Sequence, residues 1–240
     1  MRNNYFSFKE FTVFQDACAM KVCTDACLFG AWSVKMIIKY KPEAQNILDI
    51  GTGTGLLTLM VAQKVAATFT AIEIKEAAAQ QAGENFEASP WGGKILLMQG
   101  DIRKVETEQR FDCIICNPPF YEHDLSSNNQ SKNAAMHSSE LGFSELIPLI
   151  ARYLNKDGIA IVLVPFKRES YFAALAKQFD FFLAECMRVK QTPQHSFFRT
   201  MFVLSHTAQA ETMTEIVIKD LSSEYTDDFK DLLKDYYLAF

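Results

Sequence analysis

NILDIGTGTG, residues 46–55, decides the fold. The run from Asn46 to Ile50 is apolar except for Asp49 and stops at a string of glycines. That is the pattern of a strand buried on both faces that opens into a tight turn. From Leu56 to about Ala66, Leu56, Leu59 and Met60 fall on successive turns, and Leu57 and Val61 widen the stripe into a helix face. Strand, glycine turn and helix together form the unit of a parallel α/β sheet. The turn sets bare backbone and a helix N-terminus against a ligand. Its spacing is G-x-G-x-G, not the G-x-G-x-x-G of dinucleotide folds.

Outward from this unit the alternation continues. FTAIEI (69–74) reads as a strand, 75–88 as a helix, KILLMQ (94–99) and FDCIIC (111–116) as further strands. A helix over 143–154, the strand IAIVLVP (159–165) and a helix over 168–178 follow. FFLAECMRVKQ (181–191) and FFRTMFVLS (197–205) flank a Thr-Pro-Gln-His turn, which predicts an antiparallel hairpin. Tyr225, Phe229, Leu232, Leu233, Tyr236 and Tyr237 form a helical stripe within 224–240, a docking helix. Upstream, YFSFKEFTVFQ (5–15) alternates like a hairpin. Thr24-Asp25 is expected to cap a helix to about Val34, before the lysine-rich link KYKPEAQ. The chain is expected to form one domain over 1–240, with a lead-in (1–44), a core (45–205) and a C-terminal extension (206–240). The polar stretch 122–140 is too long for a routine connection and is expected to be a functional loop that orders on its ligand.

Composition narrows the classes. Hydrophobic residues make up 49% and charged ones 22%, enough for a large core in a water-soluble protein. Net charge is −5, so any nucleic-acid contact must use a local basic surface. MRNNYFSFKE shows no signal segment, and GIAIVLVPF (158–166) is too short to span a bilayer, so a cytoplasmic location is expected. Six cysteines raise a metal or disulfide reading. Cys113 and Cys116 lie in one strand at an odd separation, on opposite faces, and cannot share an ion. Cys23 and Cys27 lack partners. Reduced, structural cysteines and no metal are expected.

Two carboxylates complete a pocket around the glycine turn. Glu73 ends the second strand, where an acid accepts from both hydroxyls of a ribose. Asp101 follows the third strand in QGDI and can accept from an adenine amino group, while Ile102 packs on the ring. Asp49, Gly51, Thr52, Gly53, Gly55 and Ile74 line the same strand ends, and Thr24 is added from upstream. Acids at the ends of consecutive strands describe a nucleoside site at the switch point of a doubly wound sheet.

The fourth strand ends in Asn117-Pro118-Pro119-Phe120. Two prolines fix the backbone. The Asn117 amide oxygen and the Pro118 carbonyl can accept both hydrogens of a planar amino group and aim its lone pair. Phe120 offers a stacking face for a base or an amide. These four are the candidate catalytic residues, with Asn117 also facing the cofactor.

The order DxGxGxG, strand-end Glu, GD-hydrophobic, NPPF and a C-terminal strand pair resembles the class I methyltransferases. The resemblance implies a Rossmann-like α/β fold: a seven-stranded, mostly parallel sheet with an antiparallel last strand, helices on both faces, and S-adenosylmethionine across the loops. NPPF resembles the motif of enzymes that methylate adenine N6, cytosine N4, guanine N2 or glutamine N5. The flanks narrow this. FSFKEFTVFQDACAMKVCTDACLFGAW, with its Met20-Lys21-Val22-Cys23-Thr24-Asp25 segment, ASPW at 88–91, Tyr121 after NPPF, and SSEYTDDFKDLLKDYYLAF look like the bacterial tRNA adenine-N6 methyltransferases that act on adenosine 37 of a valine tRNA. Cys23 replaces a common Gly there and Phe120 a common Tyr; neither removes an acceptor or the stacking face.

That resemblance implies tRNA as partner, a base splayed from a single-stranded loop, and no obligate protein partner. Candidate phosphate contacts are Lys9, Lys21 and Lys35 with its neighbours Lys39 and Lys41, and, at the hairpin, Arg188, Lys190, His195 and Arg199. His123 and His137 are expected at the loop surface. Three alternatives stay open: a protein glutamine-N5 methyltransferase, for which the lead-in leaves little room for a helical N-terminal domain; another nucleic-acid exocyclic-amino methyltransferase, acting on rRNA guanine N2 or DNA adenine N6; and a non-catalytic RNA-binding subunit, which would not need NPPF.

Overall fold

The computed structural model describes residues 4–18, 21–118 and 141–240. Within them, a hairpin of β1 (Tyr5–Ser7) and β2 (Thr12–Phe14) precedes α1 (Thr24–Tyr40). The alternating core then runs β3 (Asn46–Ile50), α2 (Leu56–Ala62), β4 (Thr68–Glu73), α3 (Glu76–Glu87), β5 (Ile95–Gln99) and β6 (Phe111–Cys116). After residue 140 come α4 (Phe143–Tyr153), β7 (Leu154–Pro165), α5 (Glu169–Gln178), β8 (Phe182–Lys190), β9 (Phe197–Ser205), β10 (Thr212–Val217) and α6 (Asp227–Leu233).

The sheet has eight strands in the order β10-β8-β9-β7-β6-β3-β4-β5. β9 alone runs antiparallel, between β7 and β8; β10 adds a parallel edge beside β8. The strand order reverses between β3 and β6, and this switch point sets the glycine turn beside the end of β6. Every residue of β3 after Asn46 is buried, as its apolar run demands. The strands separate two apolar cores. Ile47, Cys113 and Ile115 face α1, α2, α3 and α6; Leu48, Ile114 and Cys116 face α4 and α5. Cys113 and Cys116 therefore do lie on opposite faces, each thiol pushed far up by burial.

Four readings need correction. In place of seven strands with the last one antiparallel, the sheet has eight, because β10 adds a parallel edge strand after the antiparallel β9. Helix α1 does not stop near Val34. Met36 and Ile37 continue its buried stripe, and lysines are good helix formers, so it runs to Tyr40. Its N-cap position is Cys23, with Thr24 the first helical residue, and no side chain caps it. The 206–240 extension carries a strand as well as a helix. That helix has seven residues, and Tyr236 and Tyr237 bury their rings beyond its end, the Tyr236 hydroxyl donating to Met60 O at 3.0 Å.

Among the described residues no helix is long and apolar enough to cross a membrane. Nor, among them, do three His, Cys, Asp or Glu side chains cluster to hold a metal.

Candidate active site

The carboxyl ends of β3, β4, β5 and β6 bring their loops together. Gly51 and Thr52 N–H donate to Ile72 O at 2.9 and 3.0 Å, and Gly53 N–H donates to Glu73 Oε2 at 2.9 Å. Gly100 N–H donates to the Glu73 carbonyl at 2.9 Å, tying in the loop after β5. The Cys116 thiol donates to Ile50 O at 3.2 Å, locking β6 beside the turn. A Cβ on Gly51 or Gly53 would meet nothing within 4 Å, so open space lies over the turn. Gly55 closes the turn at φ 83°, in the left-handed region, directly against the Phe86 ring of α3.

Two buried oxygens stand without partners at this edge. Asp49 is almost fully enclosed; its Oδ2 accepts from the Thr52 and Thr58 hydroxyls, both at 2.7 Å, while Oδ1 accepts from nothing. Burial pushes its carboxyl up to about 6, against the pull of the two hydroxyls. Asn117 Oδ1, just past β6, is likewise buried and unpartnered. Buried acceptors are nearly always satisfied. Two orphaned acceptors at the strand ends that flank this turn are therefore the groups a ligand's donors would satisfy.

Glu73 is buried, and its carboxylate braces the turn through Gly53 and its own strand end through Lys75 N–H at 2.9 Å. Ile74 beside it is 37% exposed, an open apolar face. Asp101 caps a 3-10 turn by accepting from Arg103 N–H at 3.0 Å. The Arg103 guanidinium grips it through Nε at 2.9 and 3.0 Å and Nη2 at 2.8 Å, which holds its carboxyl below the usual range. Arg103 Nη1 reaches on to Glu145 Oε1 at 3.0 Å, and Glu145 Oε2 accepts from Gly142 N–H at 3.2 Å at the start of α4. Ile102 is 7% exposed and packed in the core on the α4 side, so little of it is left to face a ring. Pro118 is buried beside Asn117. Pro119, Phe120, Met20 and the 122–140 loop, with His123 and His137, lie outside the described residues.

The basic candidates divide into two groups. Lys9 donates to Lys234 O at 2.5 Å and Phe240 O at 2.7 Å, and Lys21 to Gln15 O, so both ammoniums are tied into the fold. Because α1 is longer than expected, Lys39 and Lys41 reach the amino end of the sheet and pair with Glu185 and Asp157, away from the glycine turn. Lys35 is exposed on α1. Arg188, Lys190 and Arg199 stand at the turn end of the hairpin, on the sheet edge that carries Asn117 but one or more residues beyond its level. Arg199 pairs with Asp25 at 2.9 Å, Arg188 with Glu169 at 2.6 Å, and Lys190 lies 3.7 Å from Glu215. His195 bonds the Thr192 hydroxyl at 2.7 Å within the turn.

Sequence reading missed Thr58, which holds Asp49, and Asn85, whose amide donates to both Thr54 O (2.8 Å) and Phe14 O (2.9 Å). Asn85 thereby fastens the N-terminal hairpin behind the glycine turn. Its signal was present: Gln81 and Asn85 are buried amides at i, i+4 spacing in an alanine-rich helix face.

Comparison with known proteins agrees with this geometry. A family model described as "Methyltransferase small domain" matches residues 33–192. A Flavobacterium johnsoniae protein named tRNA1(Val) (adenine(37)-N6)-methyltransferase is 39% identical over 237 residues, covering 97% of this chain and 99% of its own. A Dyadobacter fermentans protein of the same name is 40% identical over 247 residues, covering 100% and 99%. The fold matches a solved structure described as a predicted O-methyltransferase from Agrobacterium tumefaciens, with TM-score 0.67 at 16% identity, covering 88% of this chain and 95% of that one. It also matches an S-adenosylmethionine-dependent methyltransferase from Clostridium acetobutylicum, with TM-score 0.56 at 12% identity over 78% and 94%. The chain belongs to the methyltransferase small-domain family and, within it, groups over nearly its full length with the proteins named tRNA1(Val) (adenine(37)-N6)-methyltransferase.

Proposed function

We propose that this protein methylates N6 of adenosine 37 in a valine tRNA, with S-adenosylmethionine as donor. The observation that carries the reading is the pair of buried, unpartnered acceptors, Asp49 Oδ1 and Asn117 Oδ1, at the switch point of a sheet of methyltransferase topology. When bound, S-adenosylmethionine supplies a methyl group already activated on a sulfonium, so no strong base is required of the protein. Asn117 Oδ1 and the Pro118 carbonyl accept the two hydrogens of the adenine amino group and turn its lone pair toward the donor. Glu73 accepts from the ribose hydroxyls, Asp101 from the cofactor's own adenine, and Asp49 faces the cationic methionine tail. Ile74 supplies apolar contact. Pro119 and Phe120 complete the motif, Phe120 as the stacking face. A tRNA substrate places the work in the cytoplasm.

The direct test is to incubate the protein with methyl-labelled cofactor and total tRNA, then digest and identify the labelled nucleoside. N6-methyladenosine from a valine tRNA is expected. Label in protein glutamine, or in another nucleoside, replaces the reading.

Asp49 adds a pH prediction. Its folded value lies above that of an ordinary carboxyl, so the fold without ligand loses stability as pH rises from about 4 through about 6. A cationic ligand instead selects the charged form. Cofactor Kd by calorimetry is therefore expected to be about tenfold weaker at pH 5 than at pH 7, and Asp49→Asn to flatten that profile. A flat profile in the unaltered protein removes Asp49 from cofactor binding.

A further inference from the structure

The edge that holds Asn117 continues into a surface that methyl transfer does not use. Cys116 sits opposite Val162, Pro165 opposite Arg199, and Arg188 opposite Thr200. Phe166, which follows β7, and Phe197, which opens β9, therefore emerge at the carboxyl end, one and two strands from Asn117. By register Phe166 lies three residues and Phe197 four residues beyond the level of Asn117; at about 5 Å per strand and about 3.3 Å per residue the separations are roughly 11 and 16 Å, the span of the next nucleotide or two of an extended strand. The two ring centroids lie 5.1 Å apart, tilted by 45°. Both rings are half-buried, yet neither belongs to the two apolar cores.

Cations are arranged around these rings. The Arg188 guanidinium lies 5.6 Å from the Phe166 centroid and 5.9 Å from that of Phe197, and the Lys190 ammonium lies 4.3 Å from Phe197. Arg188 is immobilised by Glu169, which also accepts from the Thr200 hydroxyl at 2.7 Å. Its charge is thus already answered, and what it presents is a fixed flat plane. Lys167 and Arg168, next along the chain, are exposed, and among the described residues neither forms an ion pair. In a chain of net charge −5, a local basic patch interleaved with unused aromatic rings has the composition of a single-strand nucleic-acid surface.

We propose that Phe166 and Phe197 form a stacking site for an unpaired base adjacent to the methylated adenosine, with Lys167 and Arg168 on its phosphates. This rests on the reading of the substrate as a tRNA loop. Stacking is indifferent to base identity, so the site holds the splayed strand in register and leaves the choice of adenine to Asn117 and Pro118.

The test uses an anticodon stem-loop with 2-aminopurine beside the target adenosine. Phe197→Leu and Phe166→Leu are each expected to weaken RNA binding roughly tenfold or more and to lose quenching of the 2-aminopurine. Phe197→Tyr should retain both, and cofactor affinity should stay unchanged in all three. Wild-type quenching and affinity in the leucine variants would overturn the stacking site, as would equal losses in Phe197→Leu and Phe197→Tyr. Failure of the unaltered protein to methylate the RNA at all would overturn the tRNA reading instead. Preferential binding of a peptide at this surface would overturn both.

Discussion

Replacing Asn117 with alanine is expected to slow methyl transfer about a hundredfold or more while leaving cofactor affinity nearly intact. The side chain stands at the end of a strand locked on both sides, with its amide oxygen buried and unpartnered. Removing it takes away an acceptor whose work begins only when an amino group arrives. The fold loses no internal hydrogen bond to that oxygen, and misplacement of a reacting group costs on this scale. Single-turnover kinetics with tRNA and cofactor calorimetry separate the two effects. A parallel collapse of both would show that Asn117 holds the cofactor site together. Asn117→Asp tests the polarity of the role, since it keeps an acceptor but introduces a charge.

The second large effect concerns stability. Gly55 combines a left-handed backbone with a neighbour in the way: a Cβ there would sit 2.4 Å from Cε1 of Phe86, a ring only 3% exposed. Gly55→Ala therefore carries a conformational penalty and an overpacking penalty, together roughly 2–5 kcal/mol. For a chain of this size that lowers Tm by about 5–15 °C. Gly53→Ala is the control. It shares the positive φ but meets nothing within 4 Å, so only the conformational part applies. Calorimetry of the two variants without cofactor should show Gly55→Ala as clearly the less stable; equal losses would mean that Phe86 yields to the added methyl.

What the residues revealed in advance follows from how each element is stabilised. β3, β6 and β7 are buried on both faces, so their apolar runs announce them, and the glycine turn and the strand-end acids follow by position. The β8–β9 hairpin was equally legible from two long apolar runs around a turn. β10 was not: it is an edge strand whose Thr212 and Met213 are exposed and whose one fully buried residue is Ile216, so it carries little apolar pattern. The end of α1 was misread because Lys35, Lys39 and Lys41 look like a solvated link until Glu185 and Asp157, from distant strands, are brought to meet two of them. The stripe after residue 224 was apolar with helical spacing, yet Tyr236 and Tyr237 reach the core from turns. At the site, the acids were placed by chain order, but their partners were not. Arg103 is two residues from Asp101 but in a 3-10 turn past the strand, where strand alternation no longer applies and helix spacing does not join them.

Arg103 has one further consequence. Its guanidinium holds Asp101, just past β5, and, through Glu145, the first turn of α4. One cation bridging the two carboxylates would link ligands bound at either end if each changes its grip. A ligand that tightens or loosens its hold on Asp101 alters its hold on Glu145, and the coupling free energy is the same whichever ligand binds first. Order of addition would then change the kinetics of assembling the ternary complex, while the product of the two stepwise affinities stays fixed.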